Sequence, residues 1–428
     1  MVFRNSVILA VFSGISVVLG IIRDRLLAHY VGVGPVLDVY NASFRIPDLI
    51  LGVFVAFVAS STVVPFISKS IHTENKKELE EKVNSLFFLF VVSMVSILLI
   101  VSIFLPYIAS FIVPGFTATQ IHDYIFYTRL LMLQPLLLGI SALISSIAQV
   151  RHRFMLYGAV PLVYTSCIII SIIYCYPTAG IVGIIQGVLI GALLHVCLQS
   201  YTLYKEKISI HYSLFSLIHI KEHLRLAVPR SGSIVVSQVR VLFFTAFATS
   251  LGAGVLSIYL LAQKISDAIV QTLSQSVSTA SLPALSLLYS ANDIPNYTKA
   301  IKKHGSSLFV IGAIVGVLCF LFSNEIVYLL YGTTGHNQEI AQMFMVLAIG
   351  IPFFSLAWYL TYAFSAMKDT RSVLYANIFS TLCAAVICFI AKNIGLGMIS
   401  IALGVVSVNI LSSFLLLVVY KAKGLHLS

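Results

Sequence analysis

The sequence predicts an all-α, polytopic membrane protein of about twelve transmembrane helices, arranged as two six-helix lobes related by a parallel repeat. Three observations predict it. Of 428 residues, 59% are hydrophobic and only 10% are charged, against roughly 45–50% and about 25% in soluble domains. Apolar stretches of about 20 residues, the length that crosses a hydrocarbon core, follow one another along the whole chain. Unusual residues also recur at a nearly constant spacing of half the chain. A net charge of +11 in a soluble protein points to nucleic acid. Here the basic residues are scattered between apolar runs without a basic stripe or zinc-finger spacing, and membrane topology accounts for the excess.

The spans fall near 5–28, 36–66, 85–112, 124–150, 156–175 and 180–204, then 227–251, 255–288, 306–331, 341–366, 372–391 and 396–420. The first has no small-x-small cleavage site before Arg23-Asp24-Arg25 and reads as a retained span. Pro47, Pro135, Pro161 and Pro352 lie inside spans, where neighbouring helices can satisfy freed backbone groups. With the N-terminus inside, 18 of the loop Lys and Arg residues fall on the cytoplasmic side and only Lys392 outside. Both termini are therefore expected to be cytoplasmic. Residues 1–204 form the N-terminal lobe, 205–226 a cytoplasmic amphipathic linker, and 227–428 the C-terminal lobe. Leu214, Phe215, Leu217, Ile218 and Leu224 give the linker its apolar positions. The six cysteines form no CxxC pair and share no spacing with histidine, so they read as small buried hydrophobes, with no metal site.

The repeat has an offset of 217 or 218 residues. It superposes Arg23 on Arg240, Pro65 on Pro283, Pro135 on Pro352, Arg153 on Arg371, Gly180 on Gly397 and Gly187 on Gly404. With one further residue, Arg45-x-x-Asp48 meets Lys264-x-x-Asp267. Six spans return the chain to its starting side, so the halves are parallel copies. Transporters built this way hold substrate between their halves.

Seven cations lie in or near spans: Arg23, Arg25, Arg45, Arg129, Arg230, Arg240 and Lys264. The acids there are Asp24, Asp38, Asp48 and Asp267. A charge at the bilayer centre costs roughly 2.5–3.5 kcal/mol on insertion scales, so these groups should pair, snorkel or face a polar interior. Arg129 and Arg230, near helix ends, suit snorkelling. Arg45 with Asp48 and Lys264 with Asp267 share a helix face, which serves a structural salt bridge as well as a binding site. The cationic excess favours an anionic substrate such as a phosphate or pyrophosphate, to which Arg presents a bidentate fork.

The segment VLGIIRDRLLAHYVGVGPVLDVYNASFRIPDLI (18–50) resembles the opening of the MurJ (MviN-type) lipid II flippase family. STVVPFISK (61–69), VPGFT (113–117), RHRF (151–154), SLPALS (281–286) and MKDTRS (367–372) are similar to its later stretches. The resemblance implies a MATE-like two-lobe fold in the bacterial inner membrane. It implies movement of undecaprenyl-pyrophosphate-linked disaccharide-pentapeptide from the inner to the outer leaflet, with membrane lipids and cell-wall synthesis proteins as partners. Arg23, Asp38, Ser257 and Lys264 match family positions, the last usually arginine. Val17 and Leu51 replace family arginines, and Ala56 replaces a glutamate. The family usually has fourteen spans, against twelve here. Some members bind sodium through acids on spans seven and eleven; span eleven here offers Asn377 and Thr381 instead.

These readings converge on a flippase working by alternating access. Arg23, Arg45, Lys264, Arg240 and Ser257 are expected to bind substrate. Asp24, Arg25, Asp38, Asp48 and Asp267 are expected to pair charges and gate. No Walker motif is present, so no cofactor is expected and the membrane potential or an ion gradient supplies the drive. Rival readings are a flippase for another polyprenyl-linked oligosaccharide and a non-transporting scaffold. No nucleophile elbow or His-Glu metal spacing supports an intramembrane enzyme.

Overall fold

In the computed structural model, residues 2–58, 76–150, 154–206 and 234–423 are described. All regular structure among them is helical. Two compact units divide the chain, Met1–Gln238 and Val239–Ser428. Most of the expected linker, Pro65, Arg153 and Arg230 lie outside the described residues.

The first unit contains α1 (Val2–Tyr30), α2 (Pro35–Ser43), α3 (Arg45–Val58), α4 (Lys76–Ile112), α5 (Ala118–Leu131), α6 (Leu133–Val150), α7 (Phe154–Tyr174) and α8 (Tyr176–Glu206). Helix α9 (Ile234–Thr249) crosses the unit boundary. The second unit continues with α10 (Val255–Ser290), α11 (Ile294–Leu321), α12 (Ser323–Tyr331), α13 (Asn337–Ile349), α14 (Ile351–Ala366), α15 (Thr370–Asn393) and α16 (Ile399–Ala422).

The repeat is visible in the packing. In the first unit α7 packs on α8, α6 on α8, and α3 on α6; in the second α15 packs on α16, α14 on α16, and α10 on α14. One close helix approach in each unit coincides as well. A Cβ on Gly187 would lie 2.1 Å from the Ser171 Oγ, and one on Gly404 would lie 2.2 Å from the Cys388 Sγ. Ser171 and Cys388 are themselves separated by the repeat offset. Gly180 and Gly397 adopt positive φ values of 59° and 53°, a region that L side chains enter at a cost of about 1–2 kcal/mol. Gly180→Ala and Gly397→Ala are each expected to lower stability by that amount, and their effects should add. Thermal unfolding in detergent checks this; Gly14→Ala, inside α1 with nothing within 4 Å of the added methyl, should by contrast raise stability by up to about 1 kcal/mol.

Several spans are broken where the sequence suggests continuity. Breaks at Phe44, Met132 and Gly350 precede α3, α6 and α14. Met132 and Gly350 differ by the repeat offset. Pro47, Pro135 and Pro352 therefore occupy first turns of new helices, where a missing N–H costs no intrahelical bond. Of the four expected intraspan prolines, Pro161 is the one that sits inside its helix. Among the described residues, six helical segments, one of them α5 and α6 taken together, are long and apolar enough to cross a membrane, or seven counting α13 with α14, which are bent by 52°. The rest fall short for physical reasons. The span of α2 and α3 is interrupted, α10 carries Lys264, Asp267 and many hydroxyls, and the described part of α9 is short. The order of helices accommodates about twelve spans.

Two of the sequence stretches singled out above act as caps. Thr117, closing VPGFT, forms a capping box with Gln120 at the start of α5, satisfying two otherwise orphaned N–H groups. Asp369 within MKDTRS accepts from the Ser372 N–H at 3.1 Å and pairs with Lys423 beyond the end of α16. On the side expected to be outside, Lys392 donates to the Ser250 hydroxyl at 3.3 Å and sits over the Phe247 ring.

Candidate functional site

In the first unit, Arg23 comes from the C-terminal part of α1. Its Nε and Nη2 both donate to one Asp24 oxygen at 3.0 Å. Successive helical residues do not ordinarily face each other, so the long guanidinium folds back to reach its neighbour. Asp24 is buried, 4% exposed, whereas Arg23 keeps a quarter of its side chain open. Tyr40 of α2 and Tyr164 of α7 lie within electrostatic reach of Arg23. Asp48 of α3 acts on both tyrosines and has a long, 3.5 Å contact from the Gln134 amide of α6. Five helices, α1, α2, α3, α6 and α7, thus contribute to one polar cluster around Arg23, Asp24 and Asp48.

The break at Phe44 explains part of this geometry. It makes Arg45 the first residue of α3 and puts Asp48 in its first turn, where the helix dipole favours a carboxylate. Asp38 occupies the first turn of α2 in the same way and is 1% exposed. Arg45 and Asp48 therefore flank a helix start instead of the middle of a continuous span.

The second unit holds a counterpart. Arg240 on α9 lies within electrostatic reach of Tyr259 and Asp267 on α10. Asp267 also interacts with Lys264 and accepts from the Gln263 amide at 2.7 Å. Here α10 runs unbroken from Val255 to Ser290, so Lys264 and Asp267 sit on successive turns of one helix. Ser257 is fully buried in the first turn. Each unit therefore combines an arginine, a tyrosine, an aspartate and an amide that donates to it.

Arg25 is exposed on α1, and Asp24 takes Arg23 as its ion-pair partner. Arg129, expected to snorkel, donates to the Ser102 carbonyl of α4 at 3.1–3.3 Å. Sequence reasoning missed Tyr40, Tyr164, Tyr259, Gln134 and Gln263. Tyr40 and Tyr259 carried a signal, because they share the 219-residue spacing of the Arg45 and Lys264 motifs. Gln134 and Tyr164 carried none, since only folding brings α6 and α7 to the cluster.

The sequence profile of the family described as lipid II flippase MurJ matches residues 27–428. The chain belongs to that family. A probable lipid II flippase MurJ of Rickettsia prowazekii is 24% identical over 392 residues, covering 89% of this chain and 76% of the relative. One of Aquifex aeolicus is 24% identical over 398 residues, covering 91% and 78%. A solved lipid II flippase MurJ in an inward closed conformation superposes with a TM-score of 0.83 at 21% identity, covering 97% of this chain and 87% of that one. An inward-facing MATE-family transporter of the MOP superfamily superposes at 0.79 with 15% identity, covering 95% and 94%. The fold is MATE-like, and the family is one of transporters in the inner membrane.

Proposed function

We propose that this protein moves lipid II from the inner to the outer leaflet by alternating access, with both termini in the cytoplasm. Membership of the flippase family over residues 27–428 carries the reading. The polar clusters support it chemically. Arg23, Arg45, Arg240 and Lys264 supply cationic donors suited to a pyrophosphate, and Ser257 adds a hydroxyl. Asp24, Arg25, Asp38, Asp48 and Asp267 hold these groups in place and exchange partners as substrate arrives and leaves. Binding then differs between the two access states, which is the condition for a substrate to shift them. The membrane potential or an ion gradient drives the cycle, at about 2.3 kcal/mol per elementary charge per 100 mV.

The second-unit cations give the direct test. In cells depleted of their own flippase, Lys264→Ala is expected to lower the lipid II exposed outside by at least about fivefold, as for loss of a contact of about 1 kcal/mol. Lys264→Arg should restore it. Normal exposure with Lys264→Ala, at normal protein level, removes Lys264 from the mechanism.

A further inference from the structure

The second unit carries a feature separate from its charged cluster. Helices α11, α14 and α16 leave a groove of about 520 Å³ between them, within the 300–1,000 Å³ range of ligand sites. Its walls are hydrocarbon, from Phe309 and Val310 of α11, Leu356 and Leu360 of α14, and Phe414 and Leu417 of α16. Among its lining residues Lys302 alone is charged.

That charge marks one end. The Tyr420 hydroxyl donates to Thr298 Oγ1 at 3.1 Å, so the C-terminus of α16 lies beside the N-terminal turns of α11. Lys299, Lys302, Lys303 and Lys421 are all exposed there, at the polar end of an apolar span. Toward the far end the Phe309 and Phe353 rings meet edge to face, 5.4 Å apart. From Ile301 to Val310 the groove runs about 13 Å at helical rise. Lys302 therefore sets a charge at one end of a hydrocarbon trough, with three more exposed lysines on the same ends of α11 and α16.

Gly305 gives the trough its depth. A Cβ there would already touch Leu356 at 3.4 Å and the Tyr359 ring at 3.8 Å. The equivalent first-half positions hold Phe87 and Phe88, where the second half has Gly305 and Ser306. The trough is thus a departure from the shared repeat, not a by-product of its packing.

The surface beside it, Val310, Ile314 and Phe414, is exposed and apolar on helices that cross the bilayer, so the occupant comes from the membrane. The lysines select its charge. We propose that this groove binds one anionic glycerophospholipid, its phosphate against Lys302 and its neighbours and one acyl chain along α11, α14 and α16.

Nanodiscs holding equal phosphatidylglycerol and phosphatidylcholine, followed by native mass spectrometry of the released protein, test it. One retained phosphatidylglycerol per chain is expected, in preference to phosphatidylcholine. Lys302→Gln should cut that preference about fivefold, the effect of one cation near an anionic surface, while Lys302→Arg keeps it. Val310→Trp, from a residue 54% exposed, should fill the trough and abolish retention of either lipid. Ile410→Trp on the opposite wall should do the same without the lysines being touched. The proposal fails if the unaltered protein shows no headgroup preference, or if both tryptophan variants, unfolding at the normal temperature, retain lipid as before. Displacement of phosphatidylglycerol by an equal amount of undecaprenyl phosphate would also overturn it, assigning the trough to a prenyl chain.

Discussion

Arg23→Ala is expected to destabilise the protein by about 3 kcal/mol and to stop transport. The stability loss follows from Asp24, 4% exposed, losing the guanidinium that reaches it with two nitrogens at 3.0 Å. Removing one member of a buried ion pair typically costs about 3–5 kcal/mol, and the open quarter of Arg23 places this case at the low end. The double variant Arg23→Ala, Asp24→Asn separates the two roles, because a neutral amide no longer needs the cation. Its unfolding temperature should return toward the original value. Lipid II exposed at the cell surface should stay at least about 30-fold down, as for loss of about 2 kcal/mol of charged substrate contact. Recovery of both stability and transport would make Arg23 a structural partner of Asp24 alone.

The second large effect lies where helices touch. Gly187→Ala would put a methyl 2.1 Å from Ser171 Oγ and 2.3 Å from its Cβ, too close for rotation of the hydroxyl to relieve. Helices α7 and α8 must then separate, and overpacking of this kind costs about 1–3 kcal/mol. Ser171→Gly in the same chain removes both clashing atoms and should recover most of the loss, leaving the Cys167 carbonyl as a 3.1 Å contact. The repeat extends this result to Gly404→Ala, which meets Cys388 Sγ at 2.2 Å, with Cys388→Gly as its rescue. A double-mutant cycle on each pair, read by thermal unfolding, should give a coupling of about 1–3 kcal/mol. Independent effects within either pair would contradict the packing described here.

The helical fold was legible because it is written in quantities that sequence preserves: apolar length, and an offset that superposes Gly180 on Gly397. The breaks were less so. Neither Phe44 nor Met132 is a helix-breaking residue type, and the prolines that mark the new helices come three residues later, at Pro47 and Pro135. Such prolines read equally well as tolerated kinks within one span. The charged members of both clusters stood out because charge is rare in this chain. Tyr40 and Tyr259 did not, being two of 21 tyrosines. Gln134 and Tyr164 join their cluster through tertiary packing alone, which no local pattern encodes.

The bend of 52° between Asn337–Ile349 and Ile351–Ala366 hides surplus length. Drawn straight, these residues would measure about 45 Å, half again the roughly 30 Å of hydrocarbon they must match. Neither rod bridges that thickness alone, so the elbow at Gly350 sets how tall the pair stands. The bend takes up the surplus length, so the pair does not have to push apolar side chains into water at either end. Kinking is one of the ways in which an apolar stretch longer than the hydrocarbon thickness is accommodated.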